Sequence, residues 1–485
     1  MQHTYLQIAR ALQTDIEAAR YAVGEKLPSV RQYAQAMGVS PSSVTRCYRH
    51  LEALGYVTTR LKSGMYVADW KASFAPQRNT TPMAQASELP AFEFQKLASV
   101  QDRLSQLHAL TAQTLRLGLH LANATAAWYP CEALARIGQR LLRSQPELLG
   151  SYPTGTGLPA LKMELVRHLG LGGQDLTPDD LLITHGGTEA MQLALRAVMQ
   201  PGDTVVVESP VYFGLLQMIE GLGLKALEVP SSVHGQGISV EALAYALEHN
   251  TAIKAIVVMP SFQNPLGTQM PPSAKRQLIR LSQQYQVSLI EDDVFGDLSP
   301  DSECPQPLKA WDKLGHVIYC GSASKSISPA FRLGWIVAGR HQSRVNALKL
   351  SSTLSTPVFE QHVLAAYFQS GALPAHLRQL RQRLQSCIRP ATEAVKKYFP
   401  TGTKITCPIG GWWLWLELPE PFDTMPLLHL SVPLGIGFAP GGLFSTSSKF
   451  AHCMRVNIGR PWDREMDQGF KTLGSLAKQL MTPDR

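Results

Sequence analysis

The sequence predicts an α/β protein in two parts, a small helical unit with a β-hairpin and a larger unit with a mostly parallel central sheet. Residues 1–67 show the apolar spacing of short helices, followed by two alternating, strand-like runs. From about residue 115 onward, apolar runs alternate with helical patterns, as in a parallel sheet covered by helices. The stretch between them loses this periodicity and is rich in polar residues and proline. We therefore predict a first domain at residues 1–69, a linker at 70–88 and a second domain at 89–485.

The composition indicates a large folded protein. Of its 485 residues, 45% are hydrophobic and 17% are charged, which provides apolar material for more than one buried core. The sequence has no apolar run of roughly 18 residues and no secretory signal pattern, so we expect a cytoplasmic protein without a membrane span. The seven cysteines are dispersed without a CxxC pair, so we expect reduced thiols and no metal site. The net charge of +8 permits a nucleic-acid partner but does not by itself indicate one.

Two consecutive helices in the first domain have clear start signals. Ser29 is placed to cap a short helix that ends at Met37, and a Gly-Val-Ser turn follows. Ser40, the last residue of that turn, can cap the next helix. Pro41 then occupies the first helical position, where its missing N–H group costs nothing. We predict that this second helix runs to about residue 54.

The second of these helices carries a polar face suited to reading DNA. Hydroxyl and guanidinium groups are the kinds that contact base edges and phosphates in the major groove. The residues on this face are Ser42, Ser43, Thr45, Arg46 and Arg49. Two strand-like runs follow, around a turn that contains Lys62. Helix, turn, helix and basic hairpin in this order predict a winged helix-turn-helix; a solvated surface face is the alternative interpretation.

This region resembles the DNA-binding domain of the GntR-family bacterial regulators. The resemblance rests on Leu-Pro-Ser with an arginine two residues on, a Gly-Val-Ser turn and a Leu-Glu-x-x-Gly-Tyr helix end, all within residues 27–56. It implies that the partner is a double-stranded DNA operator. It also implies DNA contacts from Arg31, Ser43, Arg46, Lys62 and Gly64.

The second domain is organised around Lys325, in the stretch Gly-Ser-Ala-Ser-Lys-Ser-Ile-Ser-Pro-Ala-Phe-Arg that begins at residue 321. A lysine amine can form a Schiff base with an aldehyde cofactor. Ser322 and Ser324 before it and Arg332 after it are suited to hold the phosphate of such a cofactor. Read alone, the stretch also fits a solvated surface lysine, so the rest of the chain has to decide between the two.

Other polar motifs follow predicted buried strands. Gly186 and Gly187 come between a strand and a helix, a geometry that suits an anion. Tyr212 is placed to stack on a planar ring, although packing in the core fits it equally well. Asn264 follows another strand, in a turn that could aim its amide at a ring hydroxyl. Asp292 ends a buried strand, where a carboxylate is costly unless it has a partner such as a protonated pyridine nitrogen.

Taken in order, these motifs resemble the fold-type I aminotransferases, which are pyridoxal 5′-phosphate (PLP) enzymes. The resemblance covers roughly residues 115–485. It implies that Lys325 binds PLP covalently and that Asp292 pairs with the pyridine nitrogen. The other implied PLP contacts are Asn264 to the ring hydroxyl, Tyr212 by stacking, and Gly187, Thr188, Ser322, Ser324 and Arg332 to the phosphate. The resemblance also implies that Tyr152 reaches the phosphate in the other subunit of a homodimer and that Arg455 binds the α-carboxylate of an amino compound.

One position departs from this family pattern. Many relatives carry a tyrosine three residues after the aspartate, where it donates to the ring hydroxyl, but this chain has Phe295. A phenylalanine cannot donate, so Asn264 alone would hold the ring hydroxyl. We therefore expect the change to affect transamination more than PLP binding.

A GntR-type winged helix joined to an aminotransferase-like domain resembles the MocR group of bacterial transcription regulators. The resemblance implies a cytoplasmic homodimer whose large domain binds PLP and senses a small amino compound or PLP itself. We expect that catalysis is not its physiological role, although residual PLP-dependent chemistry fits the motifs. Two alternatives stay open: an active aminotransferase with a DNA-binding appendage, and a regulator whose large domain has lost PLP and only dimerises.

Overall fold

The computed structural model divides into two compact units, Met1–Glu93 and Phe94–Arg485. The predicted linker and both predicted domain boundaries lie between residues 69 and 99, outside the described residues, and they stay predictions. The structure describes residues 4–18, 20–53, 56–60, 64–68, 100–112, 115–151, 155–170, 176–232, 237–299, 305–406, 410–447 and 449–481.

The first unit is a winged helix-turn-helix, with three helices and an antiparallel hairpin among its described residues. These elements are Thr4–Glu17 (α1), Val30–Met37 (α2), Pro41–Ala53 (α3), Val57–Arg60 (β1) and Gly64–Val67 (β2). Apolar side chains from all three helices form one core, among them Leu12, Tyr33, Val44 and Leu51. This core packs the apolar face of α3 inward, so the polar face predicted to read DNA points away from it.

The predicted start and end signals of α2 and the predicted start signal of α3 are confirmed, whereas the predicted end of α3 near residue 54 lies outside the described residues. Ser29 Oγ accepts a hydrogen bond from Gln32 N at 3.3 Å, and Gln32 Oε1 accepts one from Ser29 N at 3.0 Å, which forms a capping box. Gly38 ends α2 at φ 63°, a left-handed conformation that glycine adopts without strain. Ser40 Oγ then accepts a hydrogen bond from Ser43 N at 3.3 Å at the start of α3.

The second unit is an α/β fold. Its helices of eight residues or more are Val100–Thr111 (α4), Cys131–Ser144 (α5), Pro159–Leu169 (α6), Gly186–Val198 (α7), Phe213–Gly221 (α8), Val240–His249 (α9), Pro272–Gln284 (α10), Gln342–Ser352 (α11), Val358–Gln369 (α12), Leu373–Tyr398 (α13), Thr424–Ser431 (α14) and Arg464–Met481 (α15). Its strands are Leu117–Gly118 (β3), Leu181–His185 (β4), Thr204–Ser209 (β5), Lys225–Ser232 (β6), Gly237–Ile238 (β7), Ile253–Val258 (β8), Ser288–Asp292 (β9), Val317–Ser322 (β10), Leu333–Val337 (β11), Lys404–Thr406 (β12), Trp413–Glu417 (β13), Ile436–Gly437 (β14), Ala439–Pro440 (β15) and Cys453–Asn457 (β16).

The central sheet has the strand order β4-β11-β10-β9-β8-β5-β6-β7 in the part of the chain that is described. Neighbouring strands from β10 to β6 pair in parallel, whereas β11 runs antiparallel between β10 and β4, and β7 runs antiparallel to β6. Strands such as β5 are buried along their whole length because helices cover both faces of the sheet. The predicted mostly parallel sheet is confirmed.

The topology brings several loops to one edge of this sheet. The carboxyl ends of parallel strands lie at the same edge, so the residues that follow β5, β8, β9 and β10 meet there. A smaller antiparallel sheet, β12-β13-β16-β15, pairs Trp415 of β13 with Arg455 of β16. Within the described ranges, no helix is long and apolar enough to cross a membrane.

Candidate functional site

A cavity of about 260 Å³ lies at the carboxyl edge of the central sheet. Nine of the residues predicted from the sequence to hold a cofactor line it. These are Gly187, Thr188, Tyr212, Asn264, Asp292, Ser322, Ser324, Lys325 and Arg332. They come from five separate loops or strand ends, so the fold brings together groups that are up to 145 positions apart in numbering (Gly187 to Arg332).

Lys325 lies just beyond the end of β10, with its amine inside the cavity. Its Nζ donates a hydrogen bond to the Ala122 carbonyl oxygen at 2.7 Å and lies 5.5 Å from the centre of the Phe295 ring. Burial lowers the pKa of Lys325 to about 8, assisted by the positive charges of Arg455 and Arg332 and opposed by Asp292. An amine with a lowered pKa is more often neutral, and therefore nucleophilic, than the amine of a surface lysine.

Asp292 is the last residue of β9 and is half-buried at the cavity. The carboxyl oxygen Oδ1 accepts a hydrogen bond from Val294 N at 3.3 Å. Burial raises the pKa of Asp292 to about 6, although the Val294 N–H and the charge of Lys325 lower it in part. A cationic group inside the cavity would stabilise the ionised form of this carboxyl.

Hydroxyl, guanidinium and backbone N–H groups form a cradle for an anion at one end of the cavity. Arg332 Nη1 donates to Ser324 Oγ at 3.2 Å, and Ser324 Oγ lies 3.0 Å from Ser322 Oγ. Helix α7 begins beside them, so its first N–H groups and the positive end of its dipole face the same region. A Cβ atom on Gly187 would come within 2.9 Å of Val294 Cγ1, so the close approach of the backbone requires glycine.

The backbone of Arg332 is itself unusual, with φ at 51°. A residue with a side chain rarely adopts this left-handed region, and such strain is found most often at functional sites. The Arg332 guanidinium packs so closely on Gly186 that a Cβ atom there would lie 2.6 Å from Arg332 Nη2. The strained backbone therefore aims this guanidinium at the start of α7.

Tyr212 and Asn264 occupy the walls between Lys325 and the small sheet. Tyr212 is the residue immediately before α8, and burial raises the pKa of its phenol. Asn264 Oδ1 accepts a hydrogen bond from Arg455 Nη1 at 2.8 Å, which leaves the Asn264 amide N–H groups available to a ligand oxygen. The two side chains thus present a ring and a hydrogen-bond donor to the cavity.

Arg455 lies on β16 and is almost fully buried beside the cavity. Besides Asn264, its guanidinium donates from Nη2 to the His120 carbonyl oxygen at 2.7 Å. Its Cζ lies 5.2–5.7 Å from the ring centres of Phe213, Trp413 and Phe444. Burial lowers the pKa of Arg455 to about 10, so the guanidinium stays protonated near neutral pH and has no carboxylate partner among the ion pairs of the described residues.

Sequence reasoning did not identify the segment that faces both cations. The carbonyl groups of His120 and Ala122 accept from Arg455 and Lys325, and a backbone carbonyl leaves no mark in the residue pattern. It also did not identify the apolar lining of the cavity, because such residues look like ordinary core positions. The lining residues that were missed are Met191, Leu215, Met218, Met259, Val294 and Ala122. Phe295 also lines the cavity, and the sequence had already marked it as the departure from the family pattern.

The predicted DNA-contacting residues of the first unit lie where the sequence placed them, as far as the structure describes them. Arg31, Ser42 and Arg46 are exposed, and Ser43 and Thr45 are half-buried. Ser40 Oγ lies 2.9 Å from the hydroxyl oxygens of both Ser42 and Ser43, and Thr45 Oγ1 donates to the Pro41 carbonyl. Gly64 begins β2 at φ 123°. Three predictions fall outside the described residues, namely the Arg49 side chain, Lys62 and Tyr152.

Comparison with known proteins identifies both units. The family described as bacterial regulatory proteins, gntR family, matches residues 4–67, and the family described as aminotransferase class I and II matches residues 122–428. The HTH-type transcriptional regulator YdcR of Escherichia coli K12 is 35% identical over 98% of this chain and 99% of its own length. The chain is a GntR-family regulator of the MocR type.

The MocR-type chain is also similar to a second regulator and to a solved aminotransferase structure. The probable rhizopine catabolism regulatory protein MocR of Rhizobium meliloti is 27% identical over 78% of this chain and 74% of its own length. This chain is also similar to the crystal structure of kynurenine aminotransferase from Pyrococcus horikoshii, with a TM-score of 0.71 and 28% identity. The similarity covers 80% of this chain and 96% of the aminotransferase chain. The large unit therefore has the aminotransferase fold, and the aminotransferase class I and II family is PLP-dependent.

Proposed function

We propose that this regulator binds PLP covalently at Lys325, binds a specific duplex operator through its winged helix, and responds to a small amino compound or to PLP itself. The observation that carries the proposal is the convergence of nine predicted cofactor-binding residues on one cavity of a GntR-family protein. A large domain that served only dimerisation would not need a half-buried lysine, a half-buried aspartate and an anion cradle around one cavity.

The residues of the cavity fit PLP by their chemistry. Among the described residues, no cation forms an ion pair with Asp292, and burial raises its pKa to about 6. A pyridinium nitrogen beside this carboxyl would lower its pKa again. Ser322, Ser324 and Arg332, with the first N–H groups of α7, offer donors of the kinds that bind phosphate. When bound, PLP would supply an electron sink for chemistry at an amine. Asn264 would donate to the ring hydroxyl, and Tyr212 would cover one face of the ring.

The effector would interact at Lys325 and Arg455, whose side chains donate to the backbone carbonyls of Ala122 and His120. An amino compound with a carboxylate would accept from Arg455 and compete with Lys325 for PLP. Lys325 would then be released to interact elsewhere, for example with the Ala122 carbonyl that accepts from it at 2.7 Å. Ligand binding of this kind would change contacts in the segment around residues 120–122. It can shift the equilibrium between two conformations of the protein only if the effector binds one conformation more tightly than the other.

An active aminotransferase is the second candidate function. It is favoured by the intact lysine, aspartate and arginine set and by the similarity to kynurenine aminotransferase. Phe295 favours slow catalysis, because its side chain offers no hydrogen-bond donor to the ring hydroxyl. Its ring centre lies 4.8 Å from that of Trp413 and 5.5 Å from Lys325 Nζ. We therefore place regulation first and catalysis second.

The proposal includes a cytoplasmic homodimer formed by the large units. Tyr152 is proposed to reach the phosphate of the other subunit, so each site would be complete only in the dimer. Two winged helices on one two-fold assembly would then read paired half-sites.

Thermodynamic linkage between ligand and DNA tests the regulator against the enzyme. If the amino compound acts through the balance of two arrangements, operator DNA must change effector affinity by the same factor as effector changes DNA affinity. We expect calorimetry with and without operator DNA to give two different effector affinities. Multiple turnover at an ordinary enzymatic rate of roughly 1–10³ s⁻¹, with no influence of DNA on effector affinity, would favour the aminotransferase instead.

A further inference from the structure

The outer face of helix α13 is a polar surface that the proposed function does not use. The inner face of this 26-residue helix is buried through Leu373, Leu377, Leu380, Leu384, Cys387, Ala391, Ala394 and Val395. The opposite side is exposed along the helix and carries Arg378, Gln382, Gln385, Arg389, Glu393, Lys396 and Lys397. We call this exposed set the outer stripe. It contains no large apolar side chain.

The outer stripe is strongly basic. The stripe carries four cations, Arg378, Arg389, Lys396 and Lys397, but only one acidic residue, Glu393. Glu393 lies on the stripe, and its Oε1 accepts a hydrogen bond from Arg389 Nε at 2.9 Å. Both side chains of this ion pair are exposed, Arg389 to 87% and Glu393 to 62%. A solvent-exposed pair of this kind is weak and is easily exchanged for a stronger anion. The stripe therefore keeps a clear excess of positive charge.

The cations are spaced to follow one side of the helix. Arg378, Arg389 and Lys396 are 11 and 7 residues apart, close to three and two full turns at roughly 3.6 residues per turn. At about 1.5 Å per residue, the distance from Arg378 to Lys396 is about 27 Å. This length corresponds to about 8 base pairs of duplex at roughly 3.4 Å each. A row of cations of this length matches a row of phosphates.

The chemistry of the stripe favours a polyanion over a protein partner. Protein interfaces concentrate their binding energy in a few buried anchors, chiefly Trp, Tyr and Arg, and the stripe offers two arginines but no aromatic side chain. Between the cations lies the amide side chain of Gln382, and such amides donate to phosphate oxygens. The chain is already a DNA-binding regulator, and its net charge is +8. Duplex DNA is the partner that all these features fit.

We propose that the outer stripe of α13 is a second DNA-contacting surface, which binds the phosphate backbone of duplex DNA independently of sequence. The winged helix would supply the specificity, and the stripe would add affinity that does not depend on sequence. The proposal does not depend on PLP or on the effector, because the surface lies on the outside of the helix.

The test is the salt dependence of DNA binding by the full-length protein, with a long random-sequence duplex as the probe. The variant Arg378→Gln, Arg389→Gln, Lys396→Gln removes three cations and keeps good helix formers. Since each phosphate contact contributes roughly 0.9 to the slope of log affinity against log salt, the slope should fall by about 3. The matched control Lys254→Gln, Arg276→Gln, Arg280→Gln removes the same charge from exposed positions elsewhere on the large unit and should leave the slope nearly unchanged.

A second variant separates charge from folding. Arg378→Lys, Arg389→Lys, Lys396→Arg keeps all three charges and should restore the wild-type slope. Equal slopes for the glutamine variant and its control would overturn the proposal. So would a loss of subunit association in sedimentation with an unchanged slope, which would assign the stripe to the dimer interface. Lost transcriptional regulation with unchanged DNA binding would assign it to an acidic protein partner and would also refute the DNA surface.

Discussion

Asn264 Oδ1 and Arg455 Nη1 form a hydrogen bond of 2.8 Å across 191 positions of the chain. The bond joins the large sheet, through the loop after β8, to the small sheet, through β16. It also joins the residue proposed to hold the ring hydroxyl of PLP to the residue proposed to hold a carboxylate. A substitution at either residue therefore removes a hydrogen-bond partner of the other.

Replacing Asn264 by alanine should weaken PLP binding about tenfold, which corresponds to about 1.4 kcal/mol. The variant removes the donor to the ring hydroxyl and leaves the buried Arg455 Nη1 without its acceptor. Fluorescence titration with PLP measures the loss. Asn457→Ala is the matched control, because it removes a buried amide from β16, two residues from Arg455, that does not line the cavity. Equal losses in both variants would contradict the specific role of Asn264.

The rate at which PLP attaches to Lys325 should depend on pH with a midpoint near 8. Only the neutral amine attacks, and burial and the nearby arginine charges lower the pKa of Lys325 to about 8. The rate constant should then rise about fivefold from pH 7 to pH 8 and level off above. An unperturbed lysine, with a pKa of about 10.4, would keep rising to much higher pH. Stopped-flow absorbance measures the rate, and Lys325→Ala should show no attachment.

Arg455→Gln should move the midpoint of this pH profile upward. The Arg455 charge lowers the pKa of Lys325, so its removal makes the amine easier to protonate. Arg389→Gln provides the control, since Arg389 is an exposed arginine that plays no part in the shift. If both variants keep the wild-type midpoint, the charge of Arg455 does not contribute to the lowered pKa of Lys325.

Replacing Phe295 by tyrosine should speed the reaction of bound PLP with amino acids. The new hydroxyl can donate to the ring oxygen and stabilise its anionic form, so the pH midpoint of the visible absorbance change should move to lower pH. Single-turnover absorbance with an amino acid measures the rate. Phe262→Tyr is a comparison at another fully buried phenylalanine that does not line the cavity. An unchanged rate and midpoint in Phe295→Tyr would show that the missing hydroxyl is not what limits catalysis.

Arg46→Ala should cost roughly 1–3 kcal/mol of operator binding and relax the preference for operator over random DNA. Arg46 is exposed on α3, where a bidentate contact with a base edge is proposed. Arg20→Ala, which removes an exposed arginine paired with Asp15 at 2.8 Å, is the control and should have little effect. Electrophoretic mobility shifts with both DNAs measure the two affinities. A uniform loss on both would place Arg46 on the phosphate backbone.

Much of this protein could be predicted from the sequence because the signals are local. Ser29, Gly38 and Pro41 mark helix ends through their own backbone preferences, and each lies where those preferences placed it. Strands such as β5 and β9 are visible as apolar runs because a parallel sheet buries both faces. The cavity residues were identifiable because Asp292 and Ser322 end such strands with polar groups.

Only the tertiary structure decided how these residues meet. The bonds from Lys325 to the Ala122 carbonyl and from Arg455 to the His120 carbonyl link residues 203 and 335 positions apart. Their acceptors are backbone groups, which every residue carries, so no residue pattern can mark them. The lowered pKa of Lys325 likewise depends on burial and on charges from distant parts of the chain. The residue types in the sequence thus determined which functional groups the site contains. Long-range packing determined which of these groups contact each other and how their pKa values shift.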